Sequence, residues 1–372
     1  MNRHATLAMR YSTSQFGLIK MSSASNELPY LTSDLPGIGG LLKSEPEDFV
    51  VEEIPAYEPI GEGQHLFLWI EKRDLPHDQM LRRLSKILEI SQDDVGTAGI
   101  KDRRALTRQY VSVPNTCGPR VELLESEQLH VLRSSLHGNK LRTGHLRGNR
   151  FTVVVRGVSD DASNRSTEIA KVLLQLGFPN YYGEQRFGHD GETLTLGLDL
   201  LSGNKRPQDI PYQKRKFLLR LAVSSVQSDL FNQVLARRLQ EGLLHTVLDG
   251  DVMEVIESGG KFVVDDVGRE QARLDQGELS VTGPMFGVKM LSPQGVPADR
   301  EARLLEEAGL NLDSFQKFAQ LMSGARRAFV VRPAELTTVP VDAGIKFEFS
   351  LPSGVYATML LREFLKTELR AE

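Results

Sequence analysis

GTAGIKDRRALTRQYVSV, Gly96 to Val113, is the stretch from which this 372-residue chain is best read. Gly96 and Gly99 lie either side of Ala98 and let the backbone turn tightly. Four charged residues follow, Lys101, Asp102, Arg103 and Arg104. QYVSV (Gln109 to Val113) then reads as a strand. Opposite charge nearby favours the ionised form of a carboxylate. An ionised Asp on a loop at a strand edge suits a nucleophile or a base. The same four residues also read as a surface ion-pair cluster in a turn.

Outward from this stretch, strands and helices mix. QHLFLWI (Gln64 to Ile70) is a short apolar run, read as a buried strand. Met80, Leu81, Leu84, Ile87 and Leu88 follow at helical spacing within Pro76 to Ile90, with Asp74 as the start signal. FTVVV (Phe151 to Val155) reads as a strand. Thr167 to Leu176 reads as an amphipathic helix stopped by Gly177. A long helix is expected over Leu218 to Leu239, and β structure over Asp249 to Leu291. Further helices are expected over Ala298 to Ala308, Leu312 to Met322 and Thr358 to Leu369, and IKFEFSL (Ile345 to Leu351) alternates like a half-buried strand. There is no regular βαβ rhythm, which argues for an α+β fold rather than a doubly wound sheet.

Forty per cent hydrophobic and a quarter charged is ordinary for a soluble globular protein, and the length suggests about two domains. One cysteine, Cys117, forbids an intrachain disulfide. It sits in a Pro/Gly/Asn stretch with no histidine nearby to activate it. No apolar run reaches the ~20 residues of a membrane span. The first residues are Ser/Thr-rich and nearly free of acids, like a transit peptide, a disordered tail, or sequence ahead of a start at Met21.

The net charge of −4 does not advertise nucleic-acid binding, but its distribution says more. Arg133, Lys140, Arg142, Arg147 and Arg150 form one block without an acid. Lys205, Arg206, Lys214, Arg215, Lys216 and Arg220 form another around Asp209 alone. Such blocks neutralise phosphates or solubilise a face. NYYGEQRFG (Asn180 to Gly188) packs three aromatics beside an arginine and two glycines. It suits either stacking of an unpaired base or a glycine-rich corner whose rings fill the core.

Several cofactor motifs fail. GIGGLLKS (Gly37 to Ser44) resembles a phosphate-binding loop, but that motif needs Gly before Lys, and Leu42 precedes Lys43. No G-x-G-x-x-G follows a strand and no G-x-S-x-G appears. The eight histidines lack ligand spacing. No cofactor and no metal is expected.

Taken together, these stretches resemble the TruD family of pseudouridine synthases. The family's A-G-x-K-D-x-x-A-x-T-x-Q pattern appears as Ala98, Gly99, Lys101, Asp102, Ala105, Thr107 and Gln109. Its N-Y-F-G-x-Q-R-F-G block appears with Tyr182 for the phenylalanine. GLLKSEPEDFVVEE (Gly40 to Glu53), GEGQH (Gly61 to His65), KLRTGHLRGNRF (Lys140 to Phe151), SDLFNQVLARRL (Ser228 to Leu239) and LPSGVYAT (Leu351 to Thr358) extend the likeness, in the family's order, over roughly residues 35–369.

The resemblance implies a catalytic α+β core with a mixed, mainly antiparallel sheet, over residues 35–205 and 331–372. It also implies an inserted α/β TRUD domain, placed at 206–330 from the KRPQD stretch (Lys205 to Asp209), while composition marks 1–34 as a disordered tail. It implies a cytoplasmic tRNA-modifying isomerase that turns uridine, at position 13 of the D-arm, into pseudouridine. The partner is tRNA, with no membrane and no protein partner, so a monomer is expected. Asp102 matches the catalytic aspartate. Phe49, Asn180 and Tyr356 match residues that hold the target nucleoside. Lys43 matches a lysine of the cleft and is expected to keep Asp102 ionised. Tyr356 and Tyr182 each replace a family phenylalanine, adding a hydroxyl that needs a partner if buried. Lys101, Arg103, Arg104, Arg147, Arg186, Lys214 and Lys216 are the candidate RNA contacts. The carboxylate could attack C1′ of the ribose or C6 of the base, or remove the C2′ proton.

Overall fold

The computed structural model describes residues 28–367. In chain order the first half carries β1 (Phe49–Pro55), β2 (His65–Arg73), α1 (His77–Leu88), β3 (Gly96–Thr97), β4 (Leu106–Pro114), β5 (Leu129–His137), β6 (Leu146–Arg156), α2 (Ala162–Leu176), β7 (Phe178–Pro179) and α3 (Glu192–Ser202). Then come α4 (Tyr212–Gln240), β8 (Val252–Val255), β9 (Lys261–Val263), α5 (Val267–Asp275), β10 (Leu279–Met285), α6 (Gly295–Glu307) and α7 (Leu312–Gln316). The chain closes through β11 (Ala325–Ala328), β12 (Val330–Val331), β13 (Ala334–Val341), β14 (Gly344–Pro352) and α8 (Ala357–Leu365).

The fold is α+β. One sheet runs β13-β14-β6-β1-β4-β2-β5, with β3 on β4. Only its β1–β4 pairing is parallel, so the sheet is mixed and mainly antiparallel. β14, from the end of the chain, lies against β6 over Gly344 to Pro352. A second sheet runs β11-β10-β8-β9. Helix α4 packs on β10 and on α3. Phe49, Val153 and Phe347 from the first sheet share one apolar core with Phe231 of α4 and Leu279 of β10. Among the described residues no helix is long and apolar enough to cross a membrane.

Several elements differ from the sequence reading for identifiable reasons. Asp74 does not cap α1. It takes φ +42°, and Pro76 stands at the cap with its ring setting the entry. Helix α2 starts five residues before the first apolar repeat, at Ala162. The Asp249–Leu291 stretch, expected to be β, also holds α5, whose charge-rich sequence is capped by Asp266 accepting from the Arg269 amide. Helix α7 ends at Gln316, short of Met322. β1, β5, β13 and α3 were not foreseen.

Residues 28–34, assigned by composition to the tail, are held on α8. The buried Glu363 carboxylate accepts from the main-chain amides of Leu31 (3.0 Å) and Thr32 (3.1 Å) and from the Thr32 hydroxyl (2.7 Å). Arg362 covers the Tyr30 ring at 3.6 Å. The rest of the expected tail lies outside the described residues, as does the end of the helix expected through Leu369. Cys117 is buried, and burial pushes its thiol up, away from a reactive thiolate.

Candidate active site

The turn GIGGLLKS uses its glycines for shape. Gly39 and Gly40 take φ of +65° and +97°, a region that favours glycine. A Cβ on Gly40 would stand 2.6 Å from Val155 Cγ1 and 2.7 Å from the Arg156 carbonyl. The chain thus lies flat against the end of β6, with Leu41 bonded to Arg156, and then presents Lys43. Lys43 itself has φ +56°. A left-handed lysine costs of order 1–3 kcal/mol and persists where its surroundings demand it.

Lys43 faces Asp102. Its Nζ donates to Asp102 Oδ1 at 3.2 Å, with the two side chains 24% and 37% exposed. The same ammonium stands 4.3 Å from the centroid of the Phe49 ring, within cation–π range. Phe49 opens β1 beside the start of β4, because Val50 pairs with Leu106. Lys43, Phe49 and Asp102 therefore form one cluster, with a reachable carboxylate and a ring that is only 1% exposed.

Beneath this cluster lie two lysines with unlike roles. Lys101 is buried, and its Nζ bonds Glu53 Oε2 at 2.9 Å, with 3% and 0% of the side chains exposed. It is enclosed, so it does not offer its charge to RNA as the sequence suggested. Lys72 is fully buried at the end of β2. Its Nζ donates to the main-chain carbonyls of Leu75 (2.9 Å) and Asp102 (2.7 Å). Burial pulls its pKa down from 10.5 to about 8, with the Asp102 charge acting the other way.

Sequence reading passed over Lys72, yet a signal was present. Leu66, Leu68, Ile70 and Lys72 alternate on one face of β2, so a lysine continues an apolar stripe. Phe49, Val51 and Glu53 do the same on β1.

The NYYGEQRFG segment divides its rings. Tyr181 and Phe187 are buried in the core, while Tyr182 is half-buried and lines a cleft. Asn180 is 4% exposed, and its amide is fully engaged. Nδ2 donates to the Ala328 carbonyl at 2.9 Å, and Oδ1 accepts from Arg327 Nη2 at 2.5 Å. Arg327 also bonds the Asn180 and Gly354 carbonyls, and its guanidinium lies 4.2 Å from the Tyr182 centroid. Burial pulls the Arg327 pKa down. Tyr182 and Tyr356 meet edge to face at 5.9 Å. The Tyr182 hydroxyl finds Met285 Sδ at 3.5 Å, a weak acceptor. Arg186 bonds the Ser228 hydroxyl at 3.1 Å and approaches the Tyr182 ring at 5.7 Å. Arg327 carried no sequence signal, because only folding brings β11 beside Asn180.

Asn180, Tyr182, Arg327, Pro352, Ser353 and Val355 line part of a cleft of about 790 Å³ beside the second sheet. The structure thus gathers the expected residues into two groups, Lys43–Phe49–Asp102 and Asn180–Tyr182–Tyr356, the second built around Arg327. Both rest on the same apolar core, which includes Phe49 and packs against Tyr182 and Tyr356. Among the candidate RNA contacts, Arg103 is exposed and pairs with Asp74 at 3.6 Å. Arg104, Arg147, Lys214 and Lys216 are exposed, the last two in the first turns of α4.

The chain is similar to known proteins over most of its length. The model of the family described as tRNA pseudouridine synthase D (TruD) matches residues 26–207 and 213–364. A tRNA pseudouridine synthase D of Anaeromyxobacter dehalogenans is 42% identical over 342 residues, 92% of this chain and 97% of the relative. The Thermus thermophilus tRNA pseudouridine synthase D is 41% identical, covering 91% of this chain and 92% of the relative. A crystal structure of the Methanosarcina mazei protein assigned as tRNA pseudouridine synthase D superposes with a TM-score of 0.74 at 27% identity, over 91% of this chain and 96% of that one.

Proposed function

The chain belongs to the TruD family of tRNA pseudouridine synthases, isomerases that convert uridine to pseudouridine in tRNA, and on that premise we propose that Asp102 carries the reaction at uridine 13 without a cofactor. The observation that carries this reading is the Lys43–Asp102 pair at 3.2 Å beside the Phe49 ring. Isomerisation breaks the N1–C1′ bond and forms C5–C1′, with no net redox change. A carboxylate suffices as nucleophile or base.

The target uridine leaves its stack at a cost of a few kcal/mol, least where it is already unpaired. Lys43, bound to both carboxylate and ring, holds the Phe49 face until a base arrives. The base then takes that face, and the detached uracil stays against it. Asn180 acts by fixing Arg327, since both ends of its amide are engaged by protein. Tyr182, Tyr356, Arg327 and Arg186 then offer flat rings and cations to the flanking nucleotides. The exposed cations Arg103, Arg104, Arg147, Lys214 and Lys216 grip phosphates. We assign the segment around the second sheet to an inserted unit and the eight-stranded sheet to the catalytic one, with the RNA between them.

The test of position uses tRNA transcripts labelled with tritium at uridine C5. Release from the natural transcript and none from a variant carrying cytidine at position 13 is expected. Equal release from both would remove position 13 from the reading.

A further inference from the structure

Away from Asp102, the connections β1–β2 and β5–β6 frame an open cavity of about 470 Å³ lined by Tyr57, His137, Asn139, Lys140, Arg142 and His145. We propose that this cavity is an anchor for a backbone phosphate of the tRNA, distinct from the site of the target uridine. The inference rests on the family reading for its ligand class, and on geometry for its place.

The lining is rich in donors. The Lys140 ammonium bonds only a carbonyl, that of Asp93. Among the described residues neither Lys140 nor Arg142 has a carboxylate partner, whereas Arg133 and Arg150 of the same block pair with Glu58 and Glu335. The fold therefore neutralises part of this basic block and leaves two charges free at the cavity.

His145 is set as a further donor. Its Nδ1 receives the Arg142 main-chain N–H at 3.4 Å and meets the Tyr57 hydroxyl at 2.7 Å. A main-chain N–H can only donate, so Nδ1 is the acceptor and the neutral ring carries its proton on Nε2. Burial raises the Tyr57 pKa, so the hydroxyl keeps its proton and shares the single Nδ1 lone pair with the Arg142 N–H. Ammonium, guanidinium, imidazole N–H and the Asn139 amide together suit an anion.

The cavity is preformed. Tyr57 stacks on His137 at 5.0 Å with 17° between the planes. The loop 138–145 is tied down by Gly144 N–H to the Ala98 carbonyl (2.8 Å), Leu141 N–H to Ser112 Oγ (2.9 Å) and Ala56 N–H to the His145 carbonyl (3.3 Å). Gly96 must be glycine here, since a Cβ would meet the Leu141 carbonyl at 2.3 Å. The segment that leads to Asp102 and the loop that carries the cations thus hold each other.

β1 runs from Phe49 to Pro55, six steps of about 3.3 Å, so its far end, where Tyr57 follows after a bend, lies roughly 20 Å from Phe49. The anchored phosphate therefore belongs to a nucleotide other than the target, and the pocket acts on affinity and register, leaving the chemical step alone.

The test uses the full-length enzyme and unmodified tRNA. Lys140→Ala/Arg142→Ala is expected to raise the tRNA Kd about tenfold at moderate salt. It should also flatten the slope of log Kd against log salt by about 1–2, since each phosphate left without its cation takes up to about 0.9 from that slope. kcat at saturating tRNA should stay within about twofold, and Arg142→Lys should keep near-native affinity. Lys171→Ala/Lys317→Ala, removing two exposed charges elsewhere, should change neither Kd nor slope. An unchanged Kd and slope in the first variant would overturn the proposal, as would binding of inorganic phosphate at this cavity with no effect on tRNA affinity. If the wild-type enzyme forms no pseudouridine, the family reading fails instead.

Discussion

The ammonium of Lys72, with none of its surface exposed, donates to the main-chain carbonyl of Asp102 at 2.7 Å. A cation with only carbonyl partners is costly to bury, and here it fastens the Asp102 loop to the end of β2. Lys72→Met should therefore lower kcat by about 10–100-fold at saturating tRNA while leaving the tRNA Kd within about threefold, because an unfastened loop misplaces the carboxylate. Single-turnover rates beside filter-binding affinities check this. Equal loss in both would mean a general structural defect.

The same lysine gives a signed pH dependence. Its pKa is about 8 in the fold against 10.5 unperturbed, so the unfolded chain binds more protons between those values. Stability should rise as pH goes from about 8 toward 10.5, since the penalty for a buried charge is relieved there. Activity should fall over the same rise, as the cation beneath Asp102 is lost. Denaturant melts and rate profiles across that window check both signs, and the Lys72→Met variant should show neither trend.

Lys43 holds the carboxylate from the open side. A hydrogen bond between charged groups contributes about 1.5–3 kcal/mol where it is sheltered, and this pair is partly exposed, so the lower end applies. Lys43→Met is expected to reduce kcat by about tenfold or more, with Lys43→Arg recovering part of it. A native kcat in Lys43→Met would remove the cation from the chemistry.

Lys101 and Glu53 form a pair buried on both sides, and breaking such a pair costs about 3–5 kcal/mol. Lys101→Met should lower the melting temperature by many degrees. The salt dependence of tRNA binding by the folded fraction should stay as in the wild type. A flattened salt slope would restore Lys101 as an RNA contact.

The tyrosines that stand where the family carries phenylalanine should prove tolerant. Tyr182 donates only to a sulfur, and Tyr356 meets the Tyr182 ring edge to face. Tyr182→Phe and Tyr356→Phe should each change stability by less than about 1 kcal/mol and turnover by less than about threefold. Tyr356→Ala, which removes a ring, should cost about tenfold or more in kcat/KM.

Much of this was legible in the residues. The glycine-flanked turn, the KD pair and the NYYGEQRFG block carried the family resemblance that implies the reaction, and the long periodic or alternating segments gave β2, β4, β6, α4 and β14. β1 was passed over because FVVEEIP carries charge at positions that the fold buries by pairing. α5 was hidden because its helix-forming residues are charged and lie among short β segments. The partners of Asp102 below the loop were half visible, as charges continuing apolar stripes. Arg327 was not, since it meets Asn180 across 147 positions of chain.

Asp102→Asn keeps the side chain's shape and removes its charge. Measured by tritium release from tRNA alongside equilibrium binding, this variant should show no detectable turnover and a tRNA affinity within about threefold of the wild type, because phosphate contacts and stacking supply the grip. Turnover at a substantial fraction of the native rate would contradict the assignment of the reaction to this carboxylate.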